Sequence, residues 1–385
     1  MPRKVAGSDR EEYRILRNMV KKFVENELQP YADEWEAEKV IPKSVFSKMG
    51  ELGLLGMHYS EAYGGQDMDY FATIVLVEEL VRCNSLGLVT AVTIHSDVVL
   101  ALIHEFGKEK LKEQILIPAI KGQMIGSIAI TEANTGSDVA RIQTVAKQKD
   151  NEWIIDGSKM FITNGVISDF TIVLARTSPG EGANGMSIFL VEKNRAGFSV
   201  SKKLDKVGLW GSDTAELIFE ECIVPDDHLI GEEGKGFGHI MWQFQGERLV
   251  TSAVCVAASE YILQLAIKYM KQRTAFSTEI INFQALRHRI ADLAAQIEAV
   301  RSLVYSNTER FIKGENPATE ISMAKMLAAQ LINRVSDEAL QFHGGYGYMM
   351  EYLIQRFWRD ARAYRIAAGT DEVMREIISR AVIKS

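Results

Sequence analysis

An acidic side chain interrupts an apolar helical pattern in the segment FQGERLV, residues 244–250. Residues three and four apart share one face of a helix. One such face carries Ile240, Phe244, Glu247, Thr251 and Val254. An ionised carboxylate is costly in apolar surroundings unless a partner compensates its charge. Glu247 is therefore a candidate base in a dry pocket with a raised pKa, and the alternative is a half-buried ion pair with Arg248.

A second acid, Asp97, lies in the segment TIHSDVVLAL, residues 93–102, among mainly apolar neighbours. One interpretation is a helical aspartate that faces solvent, or that caps a local break near Ser96. The other interpretation is an acid beside a substrate, because a charged carboxylate there needs a partner. In that role Asp97 would bind a polar group of the substrate or take a second proton.

Bulk composition indicates a soluble globular protein of two to three domains, since domains hold about 150 residues each. The chain has 385 residues, of which 47% are hydrophobic and 25% charged. Basic and acidic residues number 44 and 51, so the net charge is 44 − 51 = −7. There is no concentrated basic stripe, so no nucleic-acid partner is expected. The three cysteines match neither a zinc spacing nor a disulfide framework, which predicts no metal and a reducing compartment.

The first residues, MPRKVAGSDREEYRILRNMV, contain no apolar run long enough for a signal peptide. They also show no transit peptide, so a cytoplasmic location is expected rather than the mitochondrial matrix. No stretch of 18 apolar residues was found, and no membrane span is predicted.

The residue pattern changes twice along the chain, from helical to strand-like and back to helical, which predicts an α+β protein of three domains. Residues 1–123 have helical spacing of apolar residues, with a break at Pro30 and a buried helix pair over residues 71–107. Residues 124–232 hold short β-branched and aromatic runs between turn residues, which predict the strands of a β-barrel or sandwich: IGSIAIT, TVAKQK, EWIIDG, KMFITNG, FTIVLART, MSIFLVEK and AELIFEECIV. Residues 233–385 are helical again and predict a four-helix bundle. No GxGxxG follows a strand, so a Rossmann cofactor site is not expected.

Glycines punctuate the segment QFHGGYGYMMEYLIQRFWRD, residues 341–360. Bare backbone at adjacent glycines lets a ligand approach closely, and a phosphate can bind such amides. The alternative is a helix end followed by a turn. The length of the pattern favours a ligand site, and its members are Gln341, Gly344, Gly345, Gly347, Glu351, Arg356 and Asp360.

This segment, together with IAITEANTGSDV at residues 128–139, resembles the acyl-CoA dehydrogenase family of FAD-dependent enzymes. Three further segments are similar to family motifs, in the family's order: KMFITNG, RTAFSTEIINFQALRHRIADL and GTDEVMREI. The resemblance covers nearly the whole chain. The chain departs from the family at Thr135, where a small residue is usual, and at Phe161, where tryptophan is frequent.

The resemblance implies a set of FAD contacts. Thr131 and Thr163 would hydrogen-bond the isoalloxazine, Phe161 would lie against its ring, and Ser137 would contact an FAD phosphate or the CoA arm. The pyrophosphate and adenine side would meet Arg273, Phe276 and Gln284. A flavin of a neighbouring subunit would meet Gln341, Gly344 and Gly345, which implies a homotetramer.

Thr370 and Glu372 would close the pocket, and the substrate would contact Ser137, Phe244, Arg248 and Gly369. Taken singly, Phe161 is also compatible with a core residue and Thr131 with an ordinary strand residue.

The family's reaction needs a base for the α-proton, a hydride acceptor and donors to the thioester oxygen. Many members carry the base just before the GT of the final turn, where this chain has Ala368. Isovaleryl-type and long-chain-type members carry it in a Glu-Arg-Leu context, which Glu247 matches. The donors would be a flavin hydroxyl and a backbone N–H, here that of Glu372 or a close neighbour.

These patterns predict an acyl-CoA dehydrogenase that desaturates an acyl-CoA thioester and passes electrons to electron-transferring flavoprotein. One alternative specialises it for alicyclic thioesters, such as cyclohexane- or cyclohexene-carboxyl-CoA, with Asp97 as a second carboxylate. Another is an inactive flavin- and acyl-CoA-binding protein that lost its base at position 368. An acyl-CoA oxidase is the weakest fit, because those chains are usually longer.

Overall fold

The computed structural model describes residues 10–178 and 182–384. Helices come first, then strands, then helices again, as the sequence predicts. The first nine residues, for which no signal peptide is predicted, lie outside the described residues.

From residue 10 onward, eight α-helices form the N-terminal part, and three of the segments that join them are π-helical. The break in the helical pattern predicted at Pro30 is a short 3₁₀ turn, Gln29–Tyr31. The α-helices are α1 Glu11–Phe23, α2 Ala32–Glu38, α3 Lys43–Glu51, α4 Phe71–Leu80, α5 Leu86–Thr93, α6 Leu100–Phe106, α7 Glu109–Leu111 and α8 Ile117–Ile120. The π-helical segments are Val24–Leu28, Ile94–Val99 and Lys112–Leu116.

The predicted helix pair is α4 and the continuous helix of α5, the second π-helical segment and α6. Its second member begins at Ser85, whose side-chain oxygen accepts a hydrogen bond from Leu88 N at 3.2 Å. The π-helical segment carries Asp97, and such wide turns are frequent at functional sites. His95 fixes this segment to the β-domain, because its ring nitrogens bond Ala119 O at 3.1 Å and Gly126 N at 3.0 Å.

The middle part is one eight-stranded sheet with the order β6-β7-β3-β2-β4-β5-β8, in which β1 pairs with β4. Most neighbours are antiparallel, while β1 and β2 run parallel to β4. The strands are β1 Gly126–Ala129, β2 Val145–Lys149, β3 Glu152–Thr163, β4 Phe170–Arg176, β5 Met186–Glu192, β6 Phe198–Lys203, β7 Thr214–Pro225 and β8 Leu229–Ile230.

The sheet differs from the predicted runs in three places, one of which is the two-residue strand β8, Leu229–Ile230, which was not predicted. EWIIDG and KMFITNG belong to one strand, β3, which is bent by register shifts against β7. The second shift lies between Lys159 and Ile162 and leaves Phe161 at φ 66° and 65% exposed. Strand β6 was not predicted, because it is a largely exposed edge strand with the polar sequence FSVSKK.

The C-terminal part is a helix bundle in which α11 packs against α9, α10, α12 and α13. A small hairpin, β9 Thr274–Ala275 and β10 Thr278–Glu279, separates the first two long helices. The predicted glycine end of α11 is present, with Gly344 at φ 59° directly after the helix. The helices are α9 Gly236–Gln272, α10 Gln284–Ile312, α11 Ala318–His343, α12 Leu353–Ala361 and α13 Asp371–Lys384.

The largest apolar core is shared by the N-terminal helices and the bundle, so these two parts pack as one body. A second core joins α6, α8 and the sheet, and it includes Ile240 and, at its edge, Phe244. Helix α9 contributes Leu249 and Val250 to the first core instead. Glu247 therefore lies where α9 crosses from one core to the other.

Two helices, Leu86–Phe106 and Gly236–Gln272, have the length and apolar composition of a membrane span. The prediction of no membrane span looked for 18 consecutive apolar residues, and neither helix contains such a run. Their most apolar windows are 83% and 67% buried within the fold, respectively. Both are core helices of this structure.

Candidate active site

Glu247 lies on α9 with its carboxyl surrounded by protein while part of its side chain stays accessible. A carboxyl that lines an internal cleft has both properties. Burial raises the pKa of Glu247 to about 7, although the cations Arg248 and Lys325 act to lower it. Gln243 lies one helical turn earlier and is 2% exposed, and a hydrogen bond from its side chain also acts to lower the pKa of Glu247.

Arg248 joins α9 to the turn before the last helix. It is 5% exposed, and its Nε donates to Ala368 O at 3.3 Å. Its guanidinium also lies over the Phe244 ring, 5.3 Å from the centroid. The ion pair with Glu247 that the sequence allowed is absent from the hydrogen bonds and salt bridges of the described residues, so Arg248 is committed to the turn.

The turn is left-handed at two consecutive residues, Ala368 at φ 55° and Gly369 at φ 94°. Lys325 on α11, fully buried, donates its ammonium to Gly369 O. Thr370 Oγ1 accepts from Val373 N at 3.2 Å and so caps α13. Across residues 368–372, no backbone N–H finds an acceptor within the described part of the chain.

The start of α13 is fixed independently by Asp371. This residue is 1% exposed, and its Oδ2 accepts from Arg365 Nε at 2.8 Å and from Gln330 Nε2 at 3.2 Å. Glu372, in contrast, points its side chain to the surface, where it pairs with Arg375 at 3.1 Å. Only the backbone of Glu372 therefore faces the turn.

Asp97 is buried, at 5% exposure, so the interpretation of a solvent-facing aspartate is wrong. Ser96 Oγ donates to Asp97 Oδ2 at 2.6 Å. Burial raises the pKa of Asp97 to about 6, against hydrogen bonds from Ser96 and Thr73 that act to lower it. A carboxyl with this pKa is poised to exchange a proton near neutral pH.

Tyr70 connects the two acids. Its hydroxyl donates to Gly246 O, next to Glu247, at 3.0 Å. Burial first, and then the charges of Asp97 and Glu247, hold the pKa of Tyr70 well above its usual value. The phenol is therefore close enough to both carboxyls to feel their charge.

The outer end of β3 brings together the residues expected at the flavin ring. Thr131 is tied to Met160 in both directions, since its Oγ1 donates to Met160 O and Met160 N donates to Thr131 O at 2.8 Å. Phe161 follows directly, and Thr163 ends the strand opposite Thr214. Thr131, Phe161 and Thr163 thus share one edge of the β-domain.

A buried ion pair fixes the loop behind this edge. Lys159 Nζ, on β3, lies 2.9 Å from Glu132 Oε1 and donates to Ile130 O at 3.0 Å. Glu132 also accepts from the amides of Gln143 and Thr144. Burial lowers the pKa of Lys159 to about 8, although Glu132 acts to raise it. Thr135 is buried, bonded to Glu132 across a tight turn, so the larger side chain at this position is accommodated.

A second group of predicted residues lines an open cleft of about 470 Å³ between α9 and the end of α11. Its members include Arg273, Gln341, Gly344 and Gly345. A Cβ added at Gly344 or Gly345 would meet no atom within 4 Å, so this backbone is open to a ligand or a partner. Among the described residues, no hydrogen bond or ion pair connects this cleft to the edge of β3.

Three predicted residues lie outside both groups. Phe276 is 93% exposed at the tip of the β9–β10 hairpin, and Gln284 is the first residue of α10. Ser137 is exposed on the loop after β1. These side chains make no closed site within one chain.

The residues fit a flat cofactor with an apolar face and a phosphate tail. The rings of Phe161 and Phe276 are exposed in a single chain. Exposed apolar surface of this kind marks a contact with a ligand or another protein. Arg273 offers a cation at a cleft with open glycine backbone, which suits a phosphate. The separation of the two groups suits a cofactor completed by a second subunit.

Lys325, Gln243 and Tyr70 were not predicted from the sequence. Lys325 had a detectable signal, because it interrupts the apolar stripe of Ile321 and Ala328 on α11 as Glu247 does on α9. Gln243 and Tyr70 had none, since either residue is ordinary at the edge of a core.

Models of the acyl-CoA dehydrogenase family match almost the whole chain. The N-terminal domain model matches residues 10–123, the middle domain model residues 127–222 and the C-terminal domain model residues 234–383.

Relatives of known description span the same length. The rat mitochondrial long-chain specific acyl-CoA dehydrogenase is 38% identical, covering 97% of this chain and 86% of that protein. The short-chain specific acyl-CoA dehydrogenase of Clostridium acetobutylicum is 37% identical, covering 97% and 98%. A chain solved in a study of the electron transferring flavoprotein of Acidaminococcus fermentans has a TM-score of 0.95 and 35% identity, with 100% coverage of both chains. This chain belongs to the acyl-CoA dehydrogenase family, flavoprotein oxidoreductases whose cofactor is FAD.

Proposed function

We propose that the chain desaturates an acyl-CoA thioester between Cα and Cβ, with Glu247 as the base that removes the α-proton. The observation that carries this proposal is the carboxyl of Glu247 on α9, which is partly accessible and whose pKa burial raises to about 7, a value that suits a base at neutral pH. Ala368 cannot accept a proton, and Glu247 directly precedes Arg248, whose Nε donates to Ala368 O at 3.3 Å. The base placement thus follows the isovaleryl-type and long-chain-type members.

Each protein group has one task in this reaction. FAD, when bound, supplies the hydride acceptor that no side chain can provide. Glu247 takes the α-proton, and the apolar surroundings exclude water from the carboxylate. The free N–H groups of residues 368–372 offer donors to the thioester oxygen, where negative charge develops as the proton leaves. Phe244 and the backbone of Gly369 line the same region.

Thr131, Phe161 and Thr163 would hold the flavin ring at the edge of β3. Ser137 would reach an FAD phosphate or the CoA arm. The cleft residues Arg273, Gln341, Gly344 and Gly345, together with Phe276 and Gln284, would hold the pyrophosphate and adenine side across a subunit boundary. Thr370 and the backbone of Glu372 would close the pocket.

Anaerobic mixing of the purified holoenzyme with a panel of acyl-CoA thioesters tests the activity. Loss of the oxidised flavin absorbance is the expected result. A spectral shift without bleaching by any thioester would instead identify the inactive binding protein. The panel also decides chain length, because relatives of nearly equal identity bear long-chain and short-chain names.

We assign electron-transferring flavoprotein as the electron acceptor and the cytoplasm as the location. The solved chain from the Acidaminococcus fermentans study supports the first assignment. The Clostridium acetobutylicum relative, matched over 98% of its length, supports the second. Reoxidation of the substrate-reduced enzyme by purified electron-transferring flavoprotein, with little reaction with oxygen, is the test.

The protein is expected to purify yellow, with one FAD per chain, as a homotetramer. The exposed Tyr348, Met350 and Phe276 and the open glycines at residues 344–345 suit a surface that another subunit covers. Light scattering together with flavin absorbance gives both numbers. A monomer that retains a full complement of FAD would contradict the shared cofactor site.

A second candidate substrate is an alicyclic thioester, such as cyclohexane- or cyclohexene-carboxyl-CoA. The specific observation is that Asp97 is buried beside Tyr70, which also feels the charge of Glu247. An unbranched chain offers a buried carboxyl no partner, whereas a ring or functionalised acyl group brings a polar group or a second acidic C–H within its reach.

Asp97→Asn is expected to slow flavin reduction by cyclohexane- and cyclohexene-carboxyl-CoA about tenfold or more, while butyryl- to palmitoyl-CoA remain the poorer substrates. Stopped-flow comparison of parent and variant across that panel measures the effect. If straight chains are the better substrates and Asp97→Asn changes neither series, Asp97 is a structural residue and the alicyclic proposal fails.

A further inference from the structure

We propose that Lys325 is a positioning residue, whose buried ammonium holds the 368–370 turn so that its free N–H groups face the thioester oxygen. This inference rests on the proposed function and adds a residue on α11 to it. Lys325 acts through the Gly369 carbonyl and does not touch the substrate itself.

The hydrogen bonds of the turn carry this assignment. The carbonyls of Ala368 and Gly369 both bind buried cations, Arg248 and Lys325, respectively. In a trans peptide the N–H points opposite to the C=O of the same unit. The N–H groups of Gly369 and Thr370 therefore point away from the two cations, and neither has an acceptor among the described residues.

The conformation of the turn requires such support. Ala368 has a side chain at positive φ, which costs free energy for any residue except glycine. A cation on each carbonyl, with Asp371 bonded beyond the turn, keeps this strained backbone in one conformation. Preorganised donors stabilise developing charge because they need no rearrangement when the charge appears.

A buried lysine needs a reason beyond packing. Lys325 is 0% exposed, and burial lowers its pKa although Asp371 and Glu247 act to raise it. Lys325 makes no salt bridge within the described residues, and its hydrogen bond goes to Gly369 O. A methionine would fill the same volume at lower desolvation cost, so the charged group is explained by what it holds.

Lys325→Met is tested on the oxidised holoenzyme with two ligands that differ only at the carbonyl. One is a trans-2-enoyl-CoA thioester and the other an S-(trans-2-alkenyl)-CoA thioether with the same chain and the same double bond. We expect the variant to bind the thioester about tenfold more weakly and the thioether within about threefold of the parent. Flavin reduction should fall further, about 100-fold, because donor contacts matter most when charge develops.

Lys206→Met is the matched control, because Lys206 is also desolvated and donates to a backbone carbonyl, Ser212 O, at 2.8 Å. It should leave both affinities unchanged. If Lys325→Met does not fold with FAD, Lys325→Gln, which keeps an N–H donor, is measured instead and should show a smaller loss of the same kind.

Equal losses for thioester and thioether, or no loss for either, would overturn the role of Lys325. Failure of the parent enzyme to be reduced by any acyl-CoA would overturn the proposed function instead. The two failures are thus distinguishable in one set of measurements.

Discussion

Glu247→Gln is expected to slow reduction of the flavin by a good acyl-CoA substrate about 100-fold or more, the scale of a general-base contribution. The amide has nearly the shape of the carboxyl but cannot take the α-proton. FAD content and substrate affinity should therefore stay close to those of the parent. In the parent, the rate should fall as the pH drops through the Glu247 pKa of about 7, because the protonated acid is not a base. Anaerobic stopped-flow absorbance at several pH values measures both effects.

Two variants sharpen this test. Glu376→Gln removes an exposed carboxyl that pairs with Arg380 on α13 and should react at the parent rate. Ala368→Glu in the Glu247→Gln background should recover part of the lost rate, because Ala368 O accepts from Arg248, the residue after Glu247, and many family members carry the base at this position of the turn. Parent-like reduction of the Glu247→Gln enzyme would rule out this base.

The order of helices and strands was predictable because hydrophobic periodicity reports burial directly. Runs of β-branched residues marked the buried strands, and the glycine after α11 marked its end. The same logic missed β6, since an exposed edge strand carries no apolar alternation. It also divided β3 in two, because the bulge near Phe161 interrupts the pattern without ending the strand.

The single acids of the site were predictable for a different reason. Glu247 and Asp97 are charged residues among apolar ones, and that conflict is visible in the sequence alone. The groups that each acid faces were not predictable from the sequence. Arg248 binds a carbonyl 120 positions along the chain, and Tyr70 reaches Gly246 over 176 positions. Such partners are set by how α9 packs against the start of α4 and the turn before α13, which no local pattern specifies.

The residues that the resemblance assigns to FAD contacts form two separate groups within one chain. Thr131, Phe161 and Thr163 come together within one chain, because they share β3 or are bonded to it. Arg273 and Gly345 form another group at the far end of the bundle. The resemblance implies that Gly344 and Gly345 meet the flavin of a neighbouring subunit, but that Arg273 lines one cleft with them is visible only after folding.

The buried pair of Lys159 and Glu132 connects stability to cofactor binding. Lys159 is 0% exposed and Glu132 is 8% exposed, so neither charge can be solvated if its partner is removed. Thr131 directly precedes Glu132, and Phe161 lies two residues after Lys159 on β3. The pair therefore holds the two segments that carry the expected flavin-ring contacts in one register.

Lys159→Met is expected to destabilise the β-domain by about 3 kcal/mol, at the lower end for breaking a buried pair, because two amides still bind Glu132. The thermal midpoint of the holoenzyme should fall by about 5 °C or more, and FAD content should drop below one per chain.

Lys159→Met/Glu132→Gln should recover part of the loss, since no buried charge is left unpaired. Arg380→Met, which breaks an exposed pair with Glu376, should cost less than about 1 kcal/mol. A Lys159→Met enzyme with parent-like midpoint and full FAD would show that the pair contributes to neither property.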